Sequence, residues 1–324
     1  MGINTLKVFS EREKDFADDL LSAKVATMLG RKMEEGDWHF VYCNAKGIPI
    51  TDWSNLHIDI NHQGLGVEHK MLRISASGNI LEVCGNSRMH PAGTRSIRIN
   101  DSGDPEDEMV SVLNQYSELI EQRTALVAEN APGIKPDMRI GWLLWKQGLD
   151  EFLYFEEPMT KPNPQEYHAV WNATPSRGSR KSSKSLWVYE RDSGKKKFSV
   201  TTTAGAKIQP YFDVPPAHDK NLYHFVVQGV HAGGGLIKVW LTSSTAKYLE
   251  LLLGGLDSDK LSNAILEFDP SAEDKEIVSK SVIESIAIPV HIKEEAYKRL
   301  MELYDPISDE YMLQQFAIDF GIKS

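Results

Sequence analysis

Cysteine is nearly missing from this chain: among 324 residues only Cys43 and Cys84 carry a thiol. Two cysteines cannot supply the disulfide framework of a small secreted domain, so a reducing cytoplasm is the expected setting. Long apolar runs are missing too. No stretch approaches the roughly 18–20 apolar residues that span a bilayer, and Met-Gly-Ile-Asn-Thr-Leu-Lys-Val at the start lacks the apolar core of a signal peptide. There is no His-Glu-x-x-His, no Cys-x-x-Cys and no Gly-x-Ser-x-Gly, which leaves zinc-hydrolase and serine-nucleophile chemistry without residues. The triplet Gly233-Gly234-Gly235 is not followed by Gly-Lys-Ser/Thr and reads as a hairpin tip, not a phosphate loop. Asp101-Ser102-Gly103-Asp104 suggests a calcium loop, but Val112 stands where the twelfth position needs an acid.

An excess of basic charge is also lacking. Lys and Arg number 36 against 46 Asp and Glu, for a net charge of −10. The distribution matters more than the sum. From Arg177 to Lys207 nine Lys/Arg face two acids, Glu190 and Asp192, whereas from Glu250 onward sixteen acids face seven Lys/Arg. A chain divided in this way can offer one basic face to a nucleic acid while its remote side stays acidic. With 41% hydrophobic and 25% charged residues, the composition is that of a globular protein with ample length for a core.

Several segments carry clear local signals. Residues 10–34 are predicted as a helix, with Ser10 as N-cap and Glu13 completing a capping box. Asp37-Trp38-His39-Phe40-Val41-Tyr42-Cys43 reads as a strand. Residues 105–130 form a second predicted helix, opened by Pro105 and lined by Met109, Val112, Leu113, Tyr116, Leu119, Ile120 and Leu126. Residues 139–145 and 151–156 are predicted to pair as a hairpin in a buried sheet. The three prolines between Pro158 and Pro164 suggest a connector. Strands are expected at 186–190, 198–203, 222–230 and 236–241, and helices at 245–253 and 293–304, with an acidic tail at 311–320. There is no internal repeat. The expected class is α/β (α+β): a mixed central sheet flanked by helices 10–34 and 105–130, with a β-rich second half.

The stretch that carries chemistry runs from Leu56 to Leu72. It reads as two short strands joined at Gly64-Leu65-Gly66. Alternation places Glu68 and Lys70 on one face and His69 on the other, and the hairpin can bring Asp59 beside Glu68. Two carboxylates with a lysine two residues on make a hard-cation site next to a base or charge stabiliser, a combination suited to metal-assisted phosphodiester cleavage. The alternative is an amphipathic hairpin with a surface Glu/Lys pair.

Asp59, Glu68 and Lys70 resemble the motif of the PD-(D/E)XK nuclease superfamily, which includes most type II restriction endonucleases. Ile58 stands where proline usually precedes the first acid, and the motif covers only about a dozen residues. The resemblance implies a Mg²⁺-dependent endonuclease acting on double-stranded DNA within a restriction-modification system. It implies Mg²⁺ bound by Asp59 and Glu68, Glu13 of the first helix reaching the metal from behind, and a homodimer cutting both strands. On this reading residues 1–160 form the catalytic core and 161–324 a region for DNA contact and dimerisation, the alternative being one compact domain.

Candidate DNA contacts fall in two groups. Arg88, Arg95 and Arg98 lie just beyond the hairpin, where arginines can clamp phosphates or read guanine edges. Arg177, Arg180, Lys181, Lys184, Lys195, Lys196, Lys197 and Lys207 make the basic stretch, whose hydroxyl-rich surroundings suit phosphate contact. Two other readings remain: a nuclease directed by DNA structure or modification, and a non-catalytic DNA-binding or interaction module in which Asp59, Glu68 and Lys70 are surface charges.

Overall fold

The computed structural model describes residues 4–28, 32–50, 58–75, 78–91, 97–176, 182–202, 206–269, 287–304 and 308–323. Among them are seven α-helices and thirteen strands, in an α+β arrangement of three sheets. Helices α1 (Glu11–Ala26) and α2 (Glu35–Lys46) precede the hairpin β1 (Ile60–His62) and β2 (Leu65–Ile74). After β3 (Ser87–Met89) the long helix α3 (Pro105–Asn130) leads to β4 (Asp137–Lys146) and β5 (Glu151–Pro158). Next come β6 (Tyr167–Thr174), β7 (Ser183–Glu190), β8 (Lys196–Thr201), β9 (Lys207–Asp213) and β10 (Tyr223–Val226). The chain continues through β11 (Val230–Gly233), β12 (Leu236–Thr242), α4 (Ser243–Leu253), α5 (Ser258–Glu267), β13 (Ala287–Lys293), α6 (Glu294–Leu303) and α7 (Asp309–Lys323).

The first sheet has the order β1-β2-β4-β5-β10 and is mixed, β2 and β4 running parallel and the other neighbours antiparallel. A parallel pair needs a long crossover, and α3 lies within it. One face of this sheet packs on α1 and α2, with Leu21, Val25, Trp38, Tyr42, Val67, Tyr154 and Phe225 in one core. The opposite face meets α3 and the second sheet, where Trp142 of β4 stacks on Phe212 of β9 at 3.9 Å and 14°. That second sheet, β3-β9-β8-β7-β6, is antiparallel throughout. The third, β11-β12-β13, builds a separate core with α4 to α7 around Leu241, Leu249, Leu261, Leu300 and Phe316.

Three expectations change. Residues 37–43 are helical, not a strand: Trp38, Val41, Tyr42 and Ala45 are buried at helical spacing, and Gly47 ends the helix at a left-handed φ of 65°. The first helix stops at Ala26, not at residue 34. A division at residue 160 does not follow the sheets either. β10 returns to the first sheet beside β5, and β3 joins the second beside β9, so backbone pairing crosses that point in both directions. The capping box at Ser10 and Glu13 is present as expected, Glu13 Oε2 accepting from Ser10 N at 2.6 Å. The 139–145 and 151–156 segments pair as β4 and β5.

Candidate functional site

The hairpin turns at Gln63-Gly64, where φ is 48° and 83°, one step earlier than the glycine spacing suggested. Side chains are excluded here by packing as well as by φ. A Cβ on Gly66 would lie 2.8 Å from Val127 Cγ2 of α3, so the hairpin sits tightly against that helix. The register Ile60↔Val67 continues outward to set Asp59 across from Glu68. The Asp59 carboxylate is tied down by the His69 backbone, whose N–H donates to Oδ2 at 2.6 Å. Asp59 is thereby held beside the Glu68–His69–Lys70 segment.

Alternation along β2 is as expected. Val67, His69 and Met71 turn toward α1 and α2, while Glu68 and Lys70 turn toward α3 and the second sheet. Lys70 Nζ forms an ion pair with Glu68 Oε1. Arg123 of α3, absent from the sequence-level candidates, closes on the same carboxylate: Nη2 donates to Oε1 at 3.2 Å and lies 3.1 Å from Oε2. Its contact with Oε2 is charge proximity without hydrogen-bond alignment. Glu68 Oε2 is thus buried with no hydrogen-bond donor among the described residues. Glu68 is 8% exposed. A cavity of about 30 Å³ adjoins Glu68, Lys70 and Arg123 and is closed by Tyr116, Trp142, Phe198 and Pro210. That volume holds a water molecule or two.

A second residue not singled out in the sequence is Glu35, exposed on the first turn of α2. Its carboxyl is pushed above the ordinary range, first by desolvation, then by the negative charges of Asp59 and Glu68, with Lys70 opposing. Glu35 therefore shares the electrostatic field of the hairpin carboxylates. Glu13, the helix acid expected here, is committed elsewhere: it caps α1 and lies 3.5 Å from Lys46 Nζ. Behind the site His69 is 2% exposed, ringed by Trp38, Tyr42 and Tyr154, and burial lowers its pKa to about 3, which keeps it neutral.

Asp59 and Glu68 supply hard oxygen donors, and the donor-free Glu68 Oε2 is chemically suited to a hard cation. Among the described residues no three His, Cys, Asp or Glu side chains form a group that could hold a metal ion by themselves. Mg²⁺ asks for less, commonly one or two carboxylates completed by water and substrate phosphate.

The described candidate DNA contacts are spread over β3, the segment before α3, β7, the start of β8 and β9. Arg95, Arg177, Arg180 and Lys181 lie outside the described residues. Arg88 is half-buried in β3, its Nε without a hydrogen-bond partner among the described residues. Arg98 is exposed beside α3, its backbone held by Gln115. Lys184 donates to Asp101 O and lies over Trp171 at 4.5 Å. Lys195 and Lys197 pair with Asp213 at 3.1 and 3.7 Å. Lys196 lies over the Trp187 ring at 3.4 Å, and Lys207 begins β9.

Comparison with protein-family models, with curated proteins and with solved structures returned no match. No helix among the described residues is long and apolar enough to cross a membrane.

Proposed function

We propose that this protein is a Mg²⁺-dependent endodeoxyribonuclease of the PD-(D/E)XK kind, cutting double-stranded DNA at specific sequences as a homodimeric restriction enzyme. The observation that carries the reading is the buried Glu68 Oε2, donor-free and held beside Asp59 and Lys70. Asp59 and Glu68 are the residues that would hold Mg²⁺, while Glu35 adds negative charge to their field without joining them as a ligand. The bound ion would polarise the scissile phosphate and lower the pKa of a coordinated water.

The residues of the chain then divide the work. The backbone of His69 fixes the Asp59 carboxylate against β2. Lys70, ion-paired to Glu68, orients the attacking water and offsets charge at phosphorus. In the reaction a water oxygen bonds to phosphorus as the P–O3′ bond breaks, and the departing oxygen is protonated to a 3′-hydroxyl. Arg123 shares the Glu68 carboxylate with Lys70 and sets where it points. The test is digestion of unmethylated plasmid and phage DNA with and without Mg²⁺, wild type beside Lys70→Ala and Glu68→Gln. Discrete fragments that require Mg²⁺ and vanish in both variants support a sequence-specific nuclease. A smear would move the reading to a structure- or modification-directed one.

One observation favours a second reading. Glu68 is nearly closed off and bridged by two cations, which also describes an ion-pair clamp tying α3 to the first sheet. On that reading the chain binds DNA without cutting it. Salt-sensitive binding indifferent to Mg²⁺, with no cleavage of any DNA, would establish it.

A further inference from the structure

The second sheet has two unlike faces. Ala169, Leu186, Val188, Val200 and Ile208 turn inward onto Met109, Val112 and Leu113 of α3. The alternate residues turn the other way and bring aromatic rings together on the opposite face. His168 of β6 pairs across the strands with Tyr189 of β7, and their rings stack with centroids 5.4 Å apart and planes 16° apart. Val170, 43% exposed, pairs with Trp187. One strand further, Lys196 of β8 sets its ammonium 3.4 Å from the Trp187 ring and 5.0 Å from that of Tyr211 on β9. Among the described residues Lys196 has rings but no carboxylate as partners, and Lys207, on the same face of β9, likewise has no ion pair. Lys195 and Lys197 neutralise Asp213 nearby, which leaves the face positive.

We propose that this outer face of the second sheet is a platform for single-stranded nucleic acid, on which Lys196 swings from the Trp187 ring to join Lys207 on the phosphates and unpaired bases take its place against Trp187 and stack on Tyr211. The spacing suits that ligand. Same-face residues recur about 6.8 Å apart along a strand and neighbouring strands lie about 4.8 Å apart, so rings meet an extended strand at roughly one per nucleotide. Every base has a π-face, whereas a duplex hides its bases in the stack, so rings select for the unpaired state and lysines for the polyanion. A neutral glycan would use the rings and leave Lys196 and Lys207 without a role. The platform lies on the face of β8 and β9 opposite the Glu68 cavity, which Phe198, Ile208 and Pro210 of the same strands help to close. It goes beyond the cleavage reading and does not depend on it.

The test is fluorescence anisotropy of labelled dT20 and rU20 with the full chain in EDTA, which removes cleavage from the readout. Wild type is compared with Trp187→Ala, Tyr211→Leu and Lys196→Gln, each checked for an unchanged thermal transition. We expect both single strands to bind and a duplex of equal length to compete at least tenfold less well. Trp187→Ala is expected to raise Kd tenfold or more, and Lys196→Gln to weaken binding and flatten its salt dependence. A preference for dT20 over rU20, or the reverse, identifies which nucleic acid is bound. Should Trp187→Ala prove too unstable to use, Tyr211→Leu and Lys196→Gln decide alone. Wild-type affinity in correctly folded variants, competition by duplex as effective as by single strand, or no binding of either strand would overturn the platform.

Discussion

Replacing Asp309 with Asn tests how the third sheet and its helices are joined to the rest of the molecule. Asp309 opens α7 and is 3% exposed. Its Oδ2 accepts from Gly229 N, on the stretch between β10 and β11, at 3.0 Å, and its Oδ1 accepts from Tyr297 of α6 at 2.9 Å. Burial raises its pKa from 3.8 to about 7; the two hydrogen bonds oppose that rise and the charge of Asp150 adds to it. Asp150 is itself paired with Lys146 at 2.8 Å. Because the folded state holds this proton more tightly than the unfolded chain, the contribution favours folding at low pH. It is lost as pH rises from the unfolded value toward about 7. At 1.36 kcal/mol per pH unit the loss between about pH 4.5 and pH 8 is on the order of 3 kcal/mol. Asn keeps both contacts, its carbonyl accepting from Gly229 and its amide donating to the tyrosine hydroxyl, but does not titrate. The difference in Tm between Asp309→Asn and wild type should therefore grow with pH in favour of the variant. At roughly 2 °C per kcal/mol it should reach about 6 °C across that range. Calorimetry in matched buffers measures it, and subtracting wild type cancels the other titrating groups. A difference that stays flat from about pH 4.5 to pH 8 would refute the reasoning.

If the proposed nuclease reading holds, Glu35→Gln should raise the Mg²⁺ concentration for half-maximal cleavage severalfold by removing negative charge near Asp59 and Glu68 while leaving duplex binding in EDTA unchanged, whereas Glu13→Gln should leave the Mg²⁺ requirement as it is. Arg123→Ala strips Glu68 of one of its two cations and should lower unfolding stability by about 2–3 kcal/mol; a urea midpoint unmoved within error would show that Lys70 alone suffices. Gly141→Ala would place a Cβ 2.9 Å from His69 Cδ2 and against the Tyr154 hydroxyl, an overpacking that costs about 1–3 kcal/mol. Thermal melting reads it directly, and a wild-type Tm would mean that the buried His69–Tyr154 packing gives way easily.

Local pattern in the sequence reaches some of this architecture and not the rest. The alternation of Val67, Glu68, His69 and Lys70 is readable because a half-buried strand must alternate, and the capping box at Ser10 because it spans three residues. Residues 37–43 mislead because Trp, Phe, Val and Tyr favour strands; the helical spacing of Trp38, Val41, Tyr42 and Ala45 is masked by Phe40 between them. The better signals stood at the ends, where Asp37 accepts from Glu34 N at 3.0 Å and Gly47 stops the helix. Glu35 and Arg123 belong to tertiary structure. Arg123 is 55 residues from Glu68 and meets it only because α3 crosses behind the hairpin, and no spacing rule reaches that far. The basic count from Arg177 to Lys207 suggested one patch, whereas the structure spends Lys195 and Lys197 on Asp213 and turns Lys196 onto aromatic rings.

Access decides from which side a duplex could reach Glu68 and Lys70. The cavity behind them, about 30 Å³, takes a water but not a phosphodiester, because α3 and β8–β9 close it. On the other side of the hairpin an open cleft of about 680 Å³ runs along the start of α2, lined by Lys32, Glu34, Glu35, Met71, Arg73 and Trp145. Glu35 borders this cleft and also feels the charges of Asp59 and Glu68. For the proposed nuclease the cleft offers the DNA backbone Arg73 and Lys32 as phosphate contacts, although it opens on the face of β2 opposite the Glu68 and Lys70 side chains. Arg73→Ala should weaken duplex binding severalfold at low salt, independently of base sequence, and reduce the slope of log K against log salt by about 1. The same substitution should leave dT20 binding untouched, since Arg73 and the outer face of the second sheet lie on different sheets. Equal loss for duplex and single strand would mean that both ligands share the cleft, and no loss for either would place the duplex path elsewhere.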